Sequence, residues 1–274
     1  MIQIKSDAEV AKMRGAGLVV ADTLAVLRAA VEPGVSTAGL DAIARRCLAD
    51  AGARPSFLGY HGFPAVICTS VNSEIVHGIP STATVLRQGD IVSIDFGAIV
   101  DGWHGDAAIT VPVGTIDPKL ARLLEDCEEA LWRGLAAARL GGRVSDIGHA
   151  VQSYARPRGY GIVEEYTGHG IGTEMHQAPD VPNYGRPGRG PRIVPGLVLA
   201  VEPMLTLGRR HTRLLPDGWT VVTRDGSPAA HFEHTFTVTE DGPVVLTAAD
   251  GGRERLATLR AAELPAGLPT AGLR

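Results

Sequence analysis

Apolar residues recur along the chain with the period of a helix in some segments and lie in short strand-like runs in others. Four segments have the helical period. Residues 6–30 begin with the Ser-x-x-Glu pattern of a capping box and are periodically apolar, which predicts a long first helix. Residues 36–52 open with Ser-Thr and close with glycine, which predicts a second helix. A third helix is predicted from Asp117, which is followed by proline, and a fourth from Ser145.

Short apolar runs bounded by turn residues predict strands between and after these helices. They lie at residues 65–71, 90–100, 161–166, 197–206, 220–223 and 230–239. Two helices followed by strands therefore occur twice along the chain. This order predicts an α+β fold with a mostly antiparallel sheet.

Two pairs of similar sequences, separated by nearly the same distance along the chain, predict an internal repeat. Residues 89–95 (GDIVSID) resemble residues 196–202 (GLVLAVE). The stretch before the second helix also resembles the stretch before the fourth. The repeat places Asp95 and Glu202 at equivalent strand ends, so we expect a site between two similar halves.

The repeat also predicts the domain organisation. A single catalytic domain is expected over residues 1–250, with pseudo-symmetric halves of about 1–116 and 117–250. The segment 251–274 is rich in Ala, Leu, Gly and Pro. It predicts a short, flexible C-terminal extension with one helix near residues 253–262.

Composition and charge narrow the functional class. The 274 residues are 45% hydrophobic, enough for a sizeable core, and the net charge of −4 gives no reason to expect DNA as a partner. Three widely spaced cysteines without a CxxC pair argue against a disulfide or zinc framework and fit a reducing compartment. We find neither a signal peptide nor an apolar run long enough to span a membrane, so we expect a cytoplasmic protein.

Five side chains with metal-ligating groups carry the candidate chemistry. They are Asp95, Asp106, His169, Glu202 and Glu233. Four carboxylates and one imidazole can hold two divalent cations with a water between them, and such a pair supports hydrolysis. The imidazole favours Co, Mn, Fe or Zn over Mg or Ca.

The turn between the two aspartates predicts that their carboxylates are neighbours. An Asp-Gly pair at 101–102 is typical of a two-residue β-hairpin turn. Such a turn would pair Val100 with Trp103 and place Asp95 diagonal to Asp106 on one face, about 7–8 Å away at the backbone. The alternative is two surface acids beside a turn, but Asp95 follows an apolar run where an unpaired charge is costly.

The other candidates have weaker local signals. His169 lies between two glycines, which let the backbone approach a ligand closely, and Glu202 ends an apolar run. Glu233 shares a strand face with His231, and alternation does not decide whether this face meets the site. His77 is either a satisfied loop residue or a donor to a substrate carbonyl. We interpret four further histidines as structural or solvated: His61, His104, His149 and His211.

Together, these residues resemble the type I methionine aminopeptidases. The similarity spans residues 2–247 and rests on five motifs: 72–80 (NSEIVHGIP), Asp95 with Asp106, 168–172 (GHGIG), 201–203 (VEP) and 233–235 (EHT). The resemblance implies a pita-bread fold, in which four main helices back a curved sheet. It also implies a cytoplasmic monomer that removes the initiator methionine from nascent proteins with a small second residue.

The resemblance further implies a role for each candidate residue. The five ligands would bind two cations (Co, Mn, Fe, Ni or Zn), and Asp106 and Glu233 would each reach both. His77 and His176 would contact the scissile amide, and Glu202 would accept a proton from the attacking water. The pocket for the first residue would be lined by Tyr60, Phe63, Cys68, Trp219, Phe57 and Met175. The last two of these, together with Gln177, depart from the residues usual in the family.

Two other interpretations stay open on the sequence. A prolidase or X-Pro aminopeptidase shares the fold but usually carries a large extra N-terminal domain, for which this chain has no room. A non-catalytic protein on the same fold would bind peptide or ribosome, but such proteins typically lose metal ligands. The arginines at 186–192 and 209–210 either make a transient ribosome contact or are simply solvated.

Overall fold

The helices form where caps and apolar periods predict them. The structure, a computed structural model, describes residues 2–263, so the predicted flexible end of the C-terminal extension lies outside the described residues. The α-helices are α1 (Asp7–Ala30), α2 (Thr37–Asp50), α3 (Pro118–Ala137), α4 (Val144–Ala155) and α5 (Arg253–Glu263), and short 3-10 turns lie at Tyr60–Gly62 and Arg156–Arg158. No helix in this described part combines the length and apolar character needed to cross a membrane.

Side chains at the helix starts pair with backbone N–H groups that the helix itself leaves free. The predicted capping box of α1 is present, since the Glu9 carboxylate accepts the Ser6 N–H at 2.8 Å. The predicted start of α4 at Ser145 is wrong by one residue. Its first residue is Val144, because the Asp146 carboxylate accepts the Arg143 N–H at 2.8 Å and makes Arg143 the cap.

The strands build one large sheet and two small ones. In chain order they are β1 (Arg54–Pro55), β2 (Ile67–Val71), β3 (Glu74–Val76), β4 (Ile91–Val100), β5 (Trp103–Pro112), β6 (Gly161–Ile162), β7 (Gly168–Gly170), β8 (Gln177–Val181), β9 (Val198–Val201), β10 (Met204–Thr206), β11 (Thr212–Leu214), β12 (Val221–Thr223), β13 (Ala229–His231), β14 (Glu233–Thr239) and β15 (Gly242–Val245). The nine-stranded sheet has the order β1-β4-β5-β14-β9-β7-β8, with β2 on β4 and β15 on β14. The small sheets are β13-β10-β6 and β11-β12-β3, and the ladders are antiparallel.

The hairpin of β4 and β5 confirms the predicted register. Val100 pairs with Trp103, Gly97 with Asp106, and the ladder continues without a shift. Asp95 therefore lies diagonal to Asp106 on one face of the sheet. The alternate residues of both strands, such as Phe96, belong to the apolar core on the opposite face.

Two predicted strands are each split in two, and both breaks lie at candidate ligands. The predicted strand 197–206 becomes β9 and β10 in different sheets, because Pro203 has no N–H for a ladder and follows Glu202 directly. The predicted strand 230–239 becomes β13 and β14, with Phe232 between them. The chain therefore changes sheet directly beside Glu202 and Glu233, at Pro203 and Phe232.

The helices pack on one side of the large sheet in two apolar cores. α1 and α2 form the first core with β4 and β5, and Val20, Leu40 and Phe96 are fully buried in it. α3 and α4 form the second core with β9 and β14, and α5 adds Leu256 to it. The α+β fold with helices behind a mostly antiparallel sheet is thus confirmed, whereas the predicted boundary near residue 116 stays a prediction.

Replacing Arg14 should destabilise the fold by about 1–3 kcal/mol, because its guanidinium ties α1 to the chain beyond β15. Nη1 donates to the carbonyl oxygens of Leu246 and Ala248 at 2.6 Å and of Val245 at 3.1 Å, while Nη2 donates to that of Ala249 at 2.8 Å. We expect Arg14→Lys to lose much of this stabilisation, since an ammonium cannot reproduce the planar fork. Denaturant unfolding of the purified variants measures the change.

The matched control is Arg28→Lys, on an exposed position in the last turn of the same helix. This control should unfold at the wild-type denaturant concentration. An Arg14→Lys protein that also unfolds with the wild type would show that the four carbonyls find equivalent partners without the guanidinium.

Candidate metal centre

Three carboxylates come together on the face of the large sheet that the helices leave open. Asp95 of β4 and Asp106 of β5 share this face through the hairpin register. Glu233, the first residue of β14, pairs with Ala108 of β5 and joins them. Asp106 and Glu233 are only 4% and 2% exposed, so their charges are removed from bulk water.

His169 lies on β7, opposite Ala200 of β9, and glycines flank it for a steric reason. A Cβ at Gly168 would lie 2.3 Å from the Ala200 carbonyl oxygen, and a Cβ at Gly170 equally close to that of Ala178. The Nδ1 atom of His169 is 2.9 Å from the carbonyl oxygen of Gly170, to which it can donate. That bond leaves the lone pair on Nε2, the nitrogen that faces the carboxylates.

Glu202 stands where the chain leaves β9. Its Oε1 lies 3.7 Å from His169 Nε2, and its Oε2 lies 3.9 Å from His231 Nε2. The Asn183 amide donates to the Glu202 carbonyl oxygen at 3.0 Å and fixes the backbone there. Glu202 therefore lies at the predicted site, and its side chain is next to His169.

The ligand atoms are close together and lack protein partners. One ligand atom each from Asp106, His169 and Glu233 lies within 4.8 Å of the other two. Among residues 2–263, buried oxygens of Asp95, Asp106 and Glu233 have no hydrogen-bond partner. Buried carboxylates without partners are costly unless a cation compensates them. This donor set therefore fits divalent metal, and carboxylate with imidazole suits Co, Mn, Fe or Zn.

Burial raises the pKa of the clustered carboxyls. The pKa of Asp95 rises to about 7, and burial together with Asp95 and Glu202 raises the pKa of Asp106 well above its usual value. Burial and then Asp106 raise the pKa of Glu233 in the same way. Burial lowers the pKa of His169 to about 3. Without a cation the cluster thus retains protons near neutral pH, and a cation would displace them.

We expect the chelated, metal-free protein to lose stability as the pH rises from about 6.5 to 8. Carboxyls with a raised folded-state pKa bind protons in the folded but not the unfolded chain over this range. Raising the pH therefore favours unfolding, by about 1.4 kcal/mol per pH unit for each extra bound proton. Histidines with a lowered pKa oppose this only below about pH 6.5, where the unfolded chain protonates them.

Denaturant unfolding of the chelated protein at several pH values measures this slope. Saturating Mn²⁺ should remove the decline, because the cation takes the place of the protons. A chelated protein that becomes more stable between pH 6.5 and 8 would contradict the expectation.

An apolar cavity of about 300 Å³ opens beside the carboxylates. Its apolar wall consists of Phe57, Phe63, Cys68 and Met175, with Tyr60 and Trp219 at the edge. Phe63 packs edge to face on Phe57 and Trp219, with ring centroids 6.5 and 5.1 Å apart. The size and lining suit one apolar side chain whose backbone meets the carboxylates.

His77 and His176 are among the histidines that line this cavity. His77 follows β3 with a φ of 59°, and its ring lies edge-on to Trp219. His176 has its Nδ1 atom 2.8 Å from the Tyr60 hydroxyl, and its ring lies against that of His169. Burial lowers the pKa of His77 to about 4 and also lowers the pKa of His176. Both rings are therefore neutral at pH 7 and have one N–H to donate.

Known proteins similar to this chain are metallopeptidases. The sequence profile of Metallopeptidase family M24 matches residues 11–240. A methionine aminopeptidase of Clostridium acetobutylicum is 51% identical over 247 residues, which cover 90% of this chain and 99% of that protein. Methionine aminopeptidase 1 of Mycobacterium tuberculosis is 53% identical over 249 residues, covering 89% and 94%.

The chain belongs to metallopeptidase family M24. The crystal structure of a methionine aminopeptidase from Rickettsia prowazekii matches this M24 chain with a TM-score of 0.88 and 43% identity, over 90% of this chain and all of that one. The pita-bread fold is thereby confirmed. An Xaa-Pro dipeptidase from Bacillus anthracis matches with a TM-score of 0.72 and 26% identity, and this chain covers 61% of it.

The M24 chain brings all the predicted site residues to one cavity. Its lining contains the five predicted ligands, His77, His176 and the six predicted pocket residues. Two of these, Phe57 and Met175, are each only 5% exposed and form part of the apolar wall. The roles of all these residues stay predictions.

Three histidines lie outside the predicted set of site residues. His61 lines the cavity with its ring 4.4 Å from that of Tyr60, and its side chain is exposed, which agrees with a solvated residue. His104 is buried and bonded to Ser56 at 2.9 Å, as expected for a structural histidine. His231 lies beside Glu202, and only its spacing from Glu233 hinted at this.

Proposed function

We propose that this chain removes the initiator methionine from nascent proteins with a small second residue, using two divalent cations held by five side chains. The observation that carries the proposal is a set of buried, unpaired carboxylates beside an imidazole at one end of an apolar cavity. The named relatives support it, since both are methionine aminopeptidases and this chain matches each of them over nearly its whole length.

The proposed ligands are Asp95, Asp106, His169, Glu202 and Glu233. Co, Mn, Fe, Ni and Zn all accept such a mixed carboxylate and imidazole set. When bound, two such cations polarise a peptide carbonyl and lower the pKa of a water held between them. The buried oxygens without protein partners on both aspartates and on Glu233 support these side chains as ligands.

Glu202 is the proposed proton carrier. Its carboxylate lines the cavity beside His169, and a positioned carboxylate can take up and release a proton. Glu202 would accept a proton from the attacking water and pass it to the leaving amine. Its carboxylate lies in the cavity lining, so the transfer would take place next to the scissile bond.

His77 and His176 are the proposed donors to the substrate carbonyl. The hydroxyl of Tyr60 can donate to Nδ1 of His176, which leaves the N–H on Nε2. A neutral imidazole that donates where negative charge develops stabilises the transition state more than the ground state. The methionine side chain itself would lie among Phe57, Cys68 and their neighbours, where a thioether packs well.

The proposed partners are nascent chains in the cytoplasm, met by a monomer that touches the ribosome transiently. The supporting observation is a set of exposed arginines: Arg186, Arg189, Arg192 and Arg209. Arg210 instead pairs with Glu164. Pelleting with ribosomes should weaken steeply with salt if these arginines contact phosphates. Binding unaffected by salt or by Arg→Glu changes at these positions would refute the ribosome contact.

Release of free methionine from Met-Gly-Met-Met and Met-Ile-Met-Met tests the proposed function. Reconstituted protein should cleave the first peptide and spare the second, and a chelator should stop the reaction. An X-Pro dipeptide serves as the matched alternative substrate. Cleavage of that dipeptide without methionine release would favour a prolidase, and no cleavage with any of the five metals would favour a binding protein.

A further inference from the structure

His231 is anchored by its backbone at the end of β13, next to the candidate metal centre. It pairs with Met204 of β10 and is 1% exposed. Its N–H donates to the Thr110 hydroxyl oxygen at 2.9 Å, and its carbonyl oxygen accepts from that hydroxyl at 2.7 Å. Both the N–H and the carbonyl of His231 are therefore held by hydrogen bonds, and the residue is buried.

The ring itself lacks partners. Within residues 2–263, neither Nδ1 nor Nε2 of His231 makes a hydrogen bond, although both atoms are fully buried. Buried polar side chains in native proteins nearly always find a partner, so an orphaned imidazole calls for an explanation. A neutral imidazole offers one N–H donor and one lone pair, and the N–H needs an acceptor nearby.

The Glu202 carboxylate is a nearby acceptor for this N–H. His231 Nε2 lies 3.9 Å from Oε2, while the other oxygen, Oε1, lies 3.7 Å from His169 Nε2. The two oxygens of one carboxylate thus each face a different imidazole. A shift of about 1 Å would bring Nε2 and Oε2 to hydrogen-bond distance. The Glu202 side chain can supply it, since three torsions separate its carboxylate from the backbone.

We propose that His231 is a positioning residue that donates its Nε2–H to Glu202 and holds that carboxylate in the orientation needed at the metal centre. The inference rests on the metal centre proposed above. Carboxylates that ligate metals are themselves held by hydrogen bonds from surrounding groups, and this fixes their geometry. With Oε2 held by His231, Oε1 remains free to face a cation on the His169 side.

A direct role for His231 as a sixth ligand is the competing explanation. The two roles make opposite demands on the ring. A donor needs an N–H at Nε2, whereas a ligand needs a bare nitrogen there.

The metal affinities of two His231 variants test the proposal. Chelated wild-type protein, His231→Gln and His231→Leu would be titrated with Mn²⁺ in a calorimeter. The leucine variant should bind at least one ion about 10–100-fold more weakly, as is typical when such a partner is removed. The glutamine variant should stay within about threefold of the wild type, because its amide still has an N–H to donate. His211→Gln, at an exposed position, is the control.

Wild-type affinity in the leucine variant would overturn the proposal, and so would a glutamine variant as weak as the leucine one. If both variants misfold, the ring nitrogens of histidine-labelled wild type decide by NMR. Addition of Zn²⁺ should leave Nε2 of His231 protonated and hydrogen-bonded, and a bare Nε2 would refute the donor role. Wild-type protein that binds no ion would instead refute the proposed metal centre itself.

Discussion

Asp106→Asn will reduce methionine release at least about 1,000-fold and, without metal, make the protein more stable than the wild type. The cations supply several kcal/mol of transition-state stabilisation, and each 1.36 kcal/mol is a factor of ten in rate. Asp106 is 4% exposed and has an unpaired oxygen, and without metal its acid group must take up a proton on folding, a cost that asparagine does not have. Peptide cleavage measures the first effect, and denaturant unfolding in chelator measures the second.

The stability gain follows from the direction of the shift, because burial raises the pKa of Asp106 well above its usual value in the folded chain and not in the unfolded one. Asp101→Asn, at the exposed turn of the same hairpin, is the matched control and should change neither quantity. An Asp106→Asn protein that cleaves peptide at the wild-type rate would show that this carboxylate does not hold the metal.

Glu202→Gln will lower kcat by about 100- to 10,000-fold, the usual contribution of a positioned proton carrier. Glutamine has nearly the same shape but cannot accept a proton from water. KM should change much less, since the apolar wall around Phe63 and the donor His77 are untouched. The split between kcat and KM for Met-Gly-Met-Met measures the effect.

The pH profile adds a second readout for Glu202. Loss of the proton carrier should remove the acid limb of kcat, since that limb reports the ionisation of the group that accepts the proton. Glu240→Gln, at an exposed turn, provides the control. Wild-type kcat in Glu202→Gln would assign the proton transfer to another residue.

Local signals in the sequence predicted the four main helices, several of the strands and the neighbouring positions of two candidate ligands. The capping box at Ser6 set the start of α1, and the Asp-Gly turn set the register that places Asp95 diagonal to Asp106. Both are short-range effects, in which a few neighbouring residues determine the backbone. The M24 resemblance was confirmed because its motifs combine such local signals in a specific order.

The breaks in the sheet were beyond local signals. An apolar run reads as one strand until tertiary pairing shows that β9 and β10 belong to different sheets. Pro203 indicated a break in one case, but nothing comparable marks Phe232. The face presented by Glu233 depended on that break, so alternation alone left it open.

The partners of buried histidines were also hidden from the sequence. His104 bonds to Ser56, and His231 lies beside Glu202, in contacts that join distant parts of the chain. The distance between the two residues of each pair is set by how the strands are arranged in space, which local sequence does not determine. The apolar wall shows the same limit, because Phe57 and Met175 are far apart in the sequence and belong to one apolar cluster.

The number of cations per chain at which peptide cleavage saturates tests the central claim most directly. Chelated protein would be titrated with Mn²⁺, with bound metal and methionine release from Met-Gly-Met-Met recorded on the same samples. Two bound ions per chain are expected, and Asp106→Asn should bind fewer and stay inactive. Full activity in chelator, or a folded protein that binds no ion, would contradict a metal centre built from these five side chains.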